Sequence, residues 1–158
     1  MVFKMTSSPT PPNDAASHSS AEDKALDPKL SAIIAAIAAA PCCWFSSVRP
    51  DGRAHLAPIW HVWFEDEVYV VTQGNSVRAR NIRDNPAVSL ALPDPMNAII
   101  IEGEARFAPQ AQDVLRPLFL EKFAWDIATD APYDTIIAVK PFKIMAWGEH
   151  GEGRWKLG

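Results

Sequence analysis

Cysteine is scarce. The 158-residue chain has two, Cys42 and Cys43, and they are neighbours. Adjacent side chains on a strand point to opposite faces, so a disulfide between them would be strained. With no CxxC pair and no spread of cysteines, neither a zinc ribbon nor a secreted disulfide scaffold is indicated. Long apolar runs are missing as well. The longest stretches, Ile33 to Ala40 and Ala98 to Ile101, fall short of the roughly 18 residues a membrane span needs. No apolar segment follows Lys4 in the manner of a secretory signal. A cytoplasmic protein is expected, with Met1 or Met5 as its start. Excess basic charge is lacking too. The formal net charge is −4, against the positive surface that general nucleic-acid binding requires. The familiar catalytic signatures (GxSxG, HExxH, the P-loop, GxGxxG) are also absent. His55 and His61 share one face of an expected strand but stand roughly 20 Å apart at ~3.3 Å per residue, too far to bind one metal. No metal site is expected, and no acid–base residue declares itself.

Hydrophobic residues make up 48% of the chain, enough for a sizeable core in one domain. Residues 1–24 are rich in Ser, Pro, Ala and Asn and read as a disordered tail, leaving residues 25–158 as a single domain. Asp27-Pro28 opens a helix that runs to Ala40 and stops before Pro41. Strands are expected at Cys42–Val48, His55–Phe64 and Glu67–Thr72, then a short helix over Val77–Asp84 capped by Ser76. Further strands follow at Ala87–Leu92 and Ile99–Phe107, an amphipathic helix over Pro109–Phe123, and strands at Thr135–Val139, Phe142–Trp147 and Arg154–Leu157. Six or seven strands joined mostly by short links predict a mainly β fold, a small antiparallel barrel with helices packed outside it.

Two stretches carry the chemistry. The first, Thr72-Gln-Gly-Asn-Ser76-Val-Arg78-Ala-Arg80, reads as strand end, glycine loop and helix start with cations in the opening turns. A cation there opposes the positive end of the helix dipole. A bound phosphate would compensate, collecting backbone N–H groups, the Thr72 and Ser76 hydroxyls and the guanidinium groups. Solvated surface arginines are the other reading. The second stretch, His55 to Phe64, puts Leu56, Pro58, Trp60, Val62 and Phe64 on one apolar face and His55, Ala57, Ile59, His61 and Trp63 on the other. Such a strand could cover a planar heterocycle or a partner subunit, or be plain core.

Together these residues resemble the pyridoxamine 5′-phosphate oxidase-like superfamily of flavin and deazaflavin (F420) split barrels. The most specific part is Val71 to Leu90, with a strand ending in Thr, Ser-x-Arg, a short helix, Asn85-Pro86 and a strand. Arg49-Pro-Asp-Gly-Arg53 followed by Ala57-Pro-Ile-Trp60 is similar to the family's first hairpin, and Gly153-Arg-Trp-Lys-Leu157 to the tail of its F420-related branches. The resemblance implies a six-stranded split barrel and a homodimer with the cofactor at its interface. Thr72, Ser76 and Arg78 would hold the cofactor phosphate, with Arg80 a weaker contact. Pro58, Ile59 and Trp60 would lie along the isoalloxazine, and Arg154 and Trp155 would cap the site, in one version from the partner chain. FMN is the cofactor expected first because the phosphate cluster is short. F420 comes second, its longer anionic tail needing further cations such as Arg80, Arg83 and Arg106.

The implied activity is hydride transfer to or from a small-molecule substrate. His55-Leu-Ala-Pro-Ile-Trp60 and Ala98 depart from the true oxidases' patterns, so vitamin B6 oxidation is not implied. A non-catalytic flavin or haem binder, with His55, His61 or His150 as axial ligand, is the alternative from another class. Apolar surface around Trp60, Trp63, Trp147 and Trp155 is expected to drive dimerisation.

Overall fold

A computed structural model describes residues 27–158 of the chain; the expected disordered tail, residues 1–24, lies outside them. Helix α1 (Pro28–Ala39) begins where the sequence predicts. The Asp27 carboxylate accepts from the N–H groups of Lys29 and Leu30, with Pro28 in the first turn. The chain then runs β1 (Cys43–Val48), β2 (Ala54–Ile59), β3 (Val62–Phe64), β4 (Glu67–Thr72), α2 (Val77–Asp84), β5 (Ala87–Ala91), β6 (Ala98–Phe107), α3 (Gln112–Phe123), β7 (Thr135–Trp147) and β8 (Gly153–Lys156).

The ladder is antiparallel throughout, in the order β2-β1-β5-β6-β7-β4-β3, with β8 added to β7. Its two outermost strands, β2 and β3, are consecutive in the chain. Counted as one kinked strand, they make this a six-stranded split barrel with peripheral helices, and β8 is a short addition to its rim.

Two predicted boundaries change. The single strand expected over His55–Phe64 divides at Trp60-His61. Ile59 is the last residue paired with β1, opposite Cys43, and Val62 is the first paired with β4, opposite Tyr69. The chain changes ladders here, and two residues between ladders reset the alternation, so His61 and Val62 are both buried. The predicted faces therefore do not run the length of the strand. Leu56, Pro58 and Trp60 point outward, Leu56 with 60% of its surface exposed, while Val62 is core.

The second change is that the strands expected on either side of Pro141 are one. The register slips at Glu102/Gly103, opposite the stretch Lys140–Lys143, and the bulge accommodates a residue with no N–H to donate. Gly103 makes this possible, because a Cβ there would sit 2.5 Å from the Lys140 carbonyl oxygen.

The residues of β4 and the first half of β7 alternate between two cores. Val68, Val70, Ile137 and Val139 face the barrel interior with Phe45, Leu90, Ile101 and, from α1, Ile33 and Ile37. Tyr69, Val71, Ile136 and Ala138 face outward and are covered by Leu115 and Phe119 of α3. Burial on both faces explains why these strands are apolar at nearly every position.

Of the four tryptophans expected on exposed apolar surface, Trp63 and Trp155 instead pack against the barrel core. Trp60 and Trp147 remain about half exposed, and Trp44 joins them. No helix among the described residues is long and apolar enough to cross a membrane.

Candidate cofactor site

The end of β2, the end of β4, the start of α2 and the loop after α3 enclose a cleft of about 620 Å³, within the size range of small-molecule sites. Thr72 closes β4 and Ser76 caps α2. The Ser76 hydroxyl accepts from the Ala79 N–H at 3.2 Å and from the Thr72 hydroxyl at 3.3 Å. The first N–H groups of α2 have no acceptor within the helix and open toward the same end.

Arg78 is the central group. It is no surface residue, as the exposed helix start suggested, but only 7% exposed. Its Nη2 donates to the carbonyls of Ala57 (3.1 Å) and Pro58 (3.4 Å), and its guanidinium lies 5.1 Å over the Phe45 ring. Burial pulls its pKa below the usual arginine value. Its Nε is buried and has no partner. A buried cation with a spare donor, beside two hydroxyls and a helix start, fits a phosphate monoester. By fixing the Ala57 and Pro58 carbonyls, Arg78 also sets the edge of β2, where Pro58, Ile59 and Trp60 line the cleft.

Seven of the nine residues singled out from the sequence thus fall near one another, and six of them (Pro58, Ile59, Trp60, Thr72, Ser76 and Arg78) line the cleft itself. Arg80 is the seventh, but it turns away. Its Nη1 donates to the Asn75 carbonyl at 2.7 Å, as Arg83 Nη2 does to Gly74 at 2.9 Å. Both arginines line a second groove of about 670 Å³, which meets the cleft at Gln73.

Arg154 and Trp155 do not reach the cleft of their own chain. Arg154 is exposed on β8, and the Trp155 indole packs on the core with its N–H donated to Asp27. The short β8–β7 ladder, Ile144 opposite Trp155, holds the tail on the barrel. That pairing is why the chain does not swing back over the site.

The sequence reading missed Trp125, Asp130 and Tyr133, which form the opposite wall. Trp125 Nε1 donates to Asp130 Oδ2 at 2.9 Å, and the Trp125 and Tyr133 rings meet edge to face with centroids 5.3 Å apart. They lie in a loop with no helical or strand period, so the sequence pattern offers no signal for them, although Trp125 also packs on the outer core.

Trp60 stacks flat on Phe123, centroids 4.5 Å apart. The kink that carries it is held from both sides. His61 Nε2 donates to the Ile37 carbonyl (2.7 Å), and Lys122 Nζ donates to the carbonyls of Ala38 (2.9 Å) and His61 (2.8 Å). The bonds to Ile37 and Ala38 satisfy carbonyls at the C-terminus of α1, a favourable place for a cation. Burial lowers the Lys122 pKa and pushes that of His61 down to about 4. The His61 ring is therefore neutral, its Nδ1 buried without a partner.

A split barrel whose cleft sets two hydroxyls and a buried guanidinium at the Ser-capped start of α2 defines the class. The sequence profile of the pyridoxamine 5′-phosphate oxidase family matches residues 28–148, and the chain belongs to that family. No curated protein matches the sequence. Solved structures share the fold at low identity. An F420 reductase superposes with a TM-score of 0.58 at 20% identity, covering 69% of this chain and 93% of its own. General Stress Protein 26 from Bacillus anthracis str. Sterne gives 0.62 at 22%, covering 82% and 96%. A heme binding protein from Mycobacterium smegmatis gives 0.68 at 12%, with 82% of this chain aligned to 58% of that one.

Proposed function

We propose that this protein is an FMN-dependent oxidoreductase that transfers hydride to or from a small-molecule substrate, working as a cytoplasmic homodimer with the cofactor at the subunit interface. The observation that carries the reading is the buried Arg78 guanidinium with its unpartnered Nε, set beside Thr72 and Ser76. Desolvating a cation costs free energy, and a phosphate would supply the missing partner.

The residues divide the work. Thr72, Ser76 and Arg78 would hold the phosphate, and Pro58, Ile59 and Trp60 would lie along the ring system, with Trp60 kept in place by Phe123. The flavin supplies the hydride chemistry when bound, so the chain's part is to bind, orient and exclude water. Arg154 and Trp155, which do not reach the cleft of their own chain, would cap it only from a second subunit.

F420 is the second reading, favoured by the groove holding Arg80 and Arg83, which continues from the cleft past Gln73. A haem reading has less support. His61 is 1% exposed and committed to Ile37, and no histidine among the described residues lines the cleft. Titration of the purified protein with FMN and, separately, F420 tests the proposal. Saturable FMN binding that Arg78→Ala weakens is expected, and failure of both cofactors to bind would overturn it.

A further inference from the structure

The two ends of the cleft are chemically opposed. At one end stand hydroxyls and a guanidinium. At the other stand Trp125, Tyr133 and the Asp130 carboxylate, with Trp60 beside Trp125. Asp130 is half-buried, and its Oδ2 is fixed by the Trp125 indole N–H at 2.9 Å. Among the described residues no lysine or arginine pairs with it, although Glu67 and Asp126 each have an arginine. The Trp125 ring stands at 73° to Trp60 and at 89° to Tyr133, so aromatic groups bound the corner from different directions. Trp60 stacks on Phe123, meets Trp125 edge-on and is still about half exposed, and Tyr133 is partly exposed. An unpaired carboxylate among aromatic rings is the arrangement that attracts an organic cation, since ring faces and carboxylate both present negative potential.

We propose that this end of the cleft binds the substrate and that the substrate is an organic cation: a flat, positively charged heterocycle or a substituted ammonium. The identity of the site as a substrate site rests on the function proposed above, whereas the preference for a cation stands on the corner itself. Asp130 would set the charge preference and the rings the shape. This is the opposite demand from that of the Arg78 end, so one cleft can seat an anionic cofactor group and a cationic substrate without exchange.

The probe is a matched pair, the 1-methylnicotinamide cation and neutral nicotinamide, titrated by tryptophan fluorescence into the full chain with and without FMN. The cation should bind about tenfold more tightly than its neutral partner. Asp130→Asn, whose side-chain oxygen still accepts from Trp125, should abolish that difference while near-ultraviolet circular dichroism shows the aromatic packing intact. Equal binding of the two probes to the native protein would overturn the proposal, as would displacement of the cation by FMN, which would make the corner part of the cofactor's own seat. FMN titration keeps the two readings apart. Should the cofactor reading fail, FMN binds neither protein while the cation preference and its loss in Asp130→Asn persist.

Discussion

The Trp155 indole N–H donates to Oδ2 of Asp27 at 2.8 Å, tying the last strand to the cap of the first helix across 128 positions of sequence. The same carboxylate accepts from two N–H groups of α1 through Oδ1, so one aspartate both caps a helix and anchors the tail. The ring itself covers the barrel core beside Leu157. Trp155→Phe keeps most of the packing and loses the bond, whereas Trp155→Ala loses both. Chemical denaturation should rank them in that order, with the alanine variant destabilised by roughly 2–3 kcal/mol. If phenylalanine proves as damaging as alanine, packing is not the main contribution.

Arg78→Ala should act twice. Removing the charge-assisted contact weakens FMN binding about ten- to a hundredfold, from a bond worth roughly 1.5–3 kcal/mol. Leaving the Ala57 and Pro58 carbonyls without their donor should also destabilise the fold by about 1–3 kcal/mol. Denaturation of the apoprotein reads the second effect alone. Unchanged affinity in a variant that remains folded would remove Arg78 from the phosphate site.

Arg80 and Arg83 distinguish the cofactors. With FMN bound, their replacement by alanine should cost much less affinity than Arg78→Ala, because both face the neighbouring groove and serve backbone carbonyls. With F420 bound, the loss should be comparable and should grow as salt is lowered, when exposed charges are least screened. Affinities measured at two ionic strengths give the answer.

His61 predicts an acid limb in stability. Its folded pKa, about 4, lies below the ordinary histidine value near 6.5, so between these pH values the unfolded chain binds more protons than the folded one. Stability is complete above pH ~6.5 and falls by roughly 3 kcal/mol as pH drops to about 4. His61→Gln, whose amide can still donate to Ile37, should flatten this limb. The difference between the two pH profiles isolates the histidine from the carboxylates.

Much of this was legible because local chemistry decides it. Asp27-Pro28, Ser76 and the Arg49–Arg53 turn act within a few residues, and the structure has each where the sequence puts it. The hydroxyl and guanidinium end of the cleft was readable for the same reason, since Thr72, Ser76 and Arg78 lie within seven positions of one another. What escaped depends on tertiary partners. Nothing local says that the chain changes ladders at Trp60-His61, or that Pro141 sits in a continuous strand because Gly103 faces it. Nor could local pattern show Arg78 as buried, because the groups that bury it, Phe45 and the Ala57–Pro58 edge, belong to another hairpin. Trp125, Asp130 and Tyr133 were invisible because a loop has no period to break.

The last prediction concerns association. Residues paired across five strands form one outward row, Pro58–Trp44–Ala91–Ile100–Met145, which is apolar from end to end. Trp44 and Pro58 are exposed, the other three half-buried, and along β2 Leu56 extends the surface one way and Trp60 the other, into the cleft. An apolar patch continuous with a binding cleft is costly to leave in water. A symmetric pair of chains meeting on this row would cover it twice and bring each cleft against the other subunit. Trp44→Glu and Leu56→Lys, both at exposed positions, should leave the monomer folded and abolish the dimer in light scattering at micromolar concentration. FMN affinity should fall with the dimer, since the second subunit's cover over the cleft would be gone. The native protein found monomeric while binding FMN fully would overturn the interface, and a Trp44→Glu monomer with native affinity would separate dimerisation from the site.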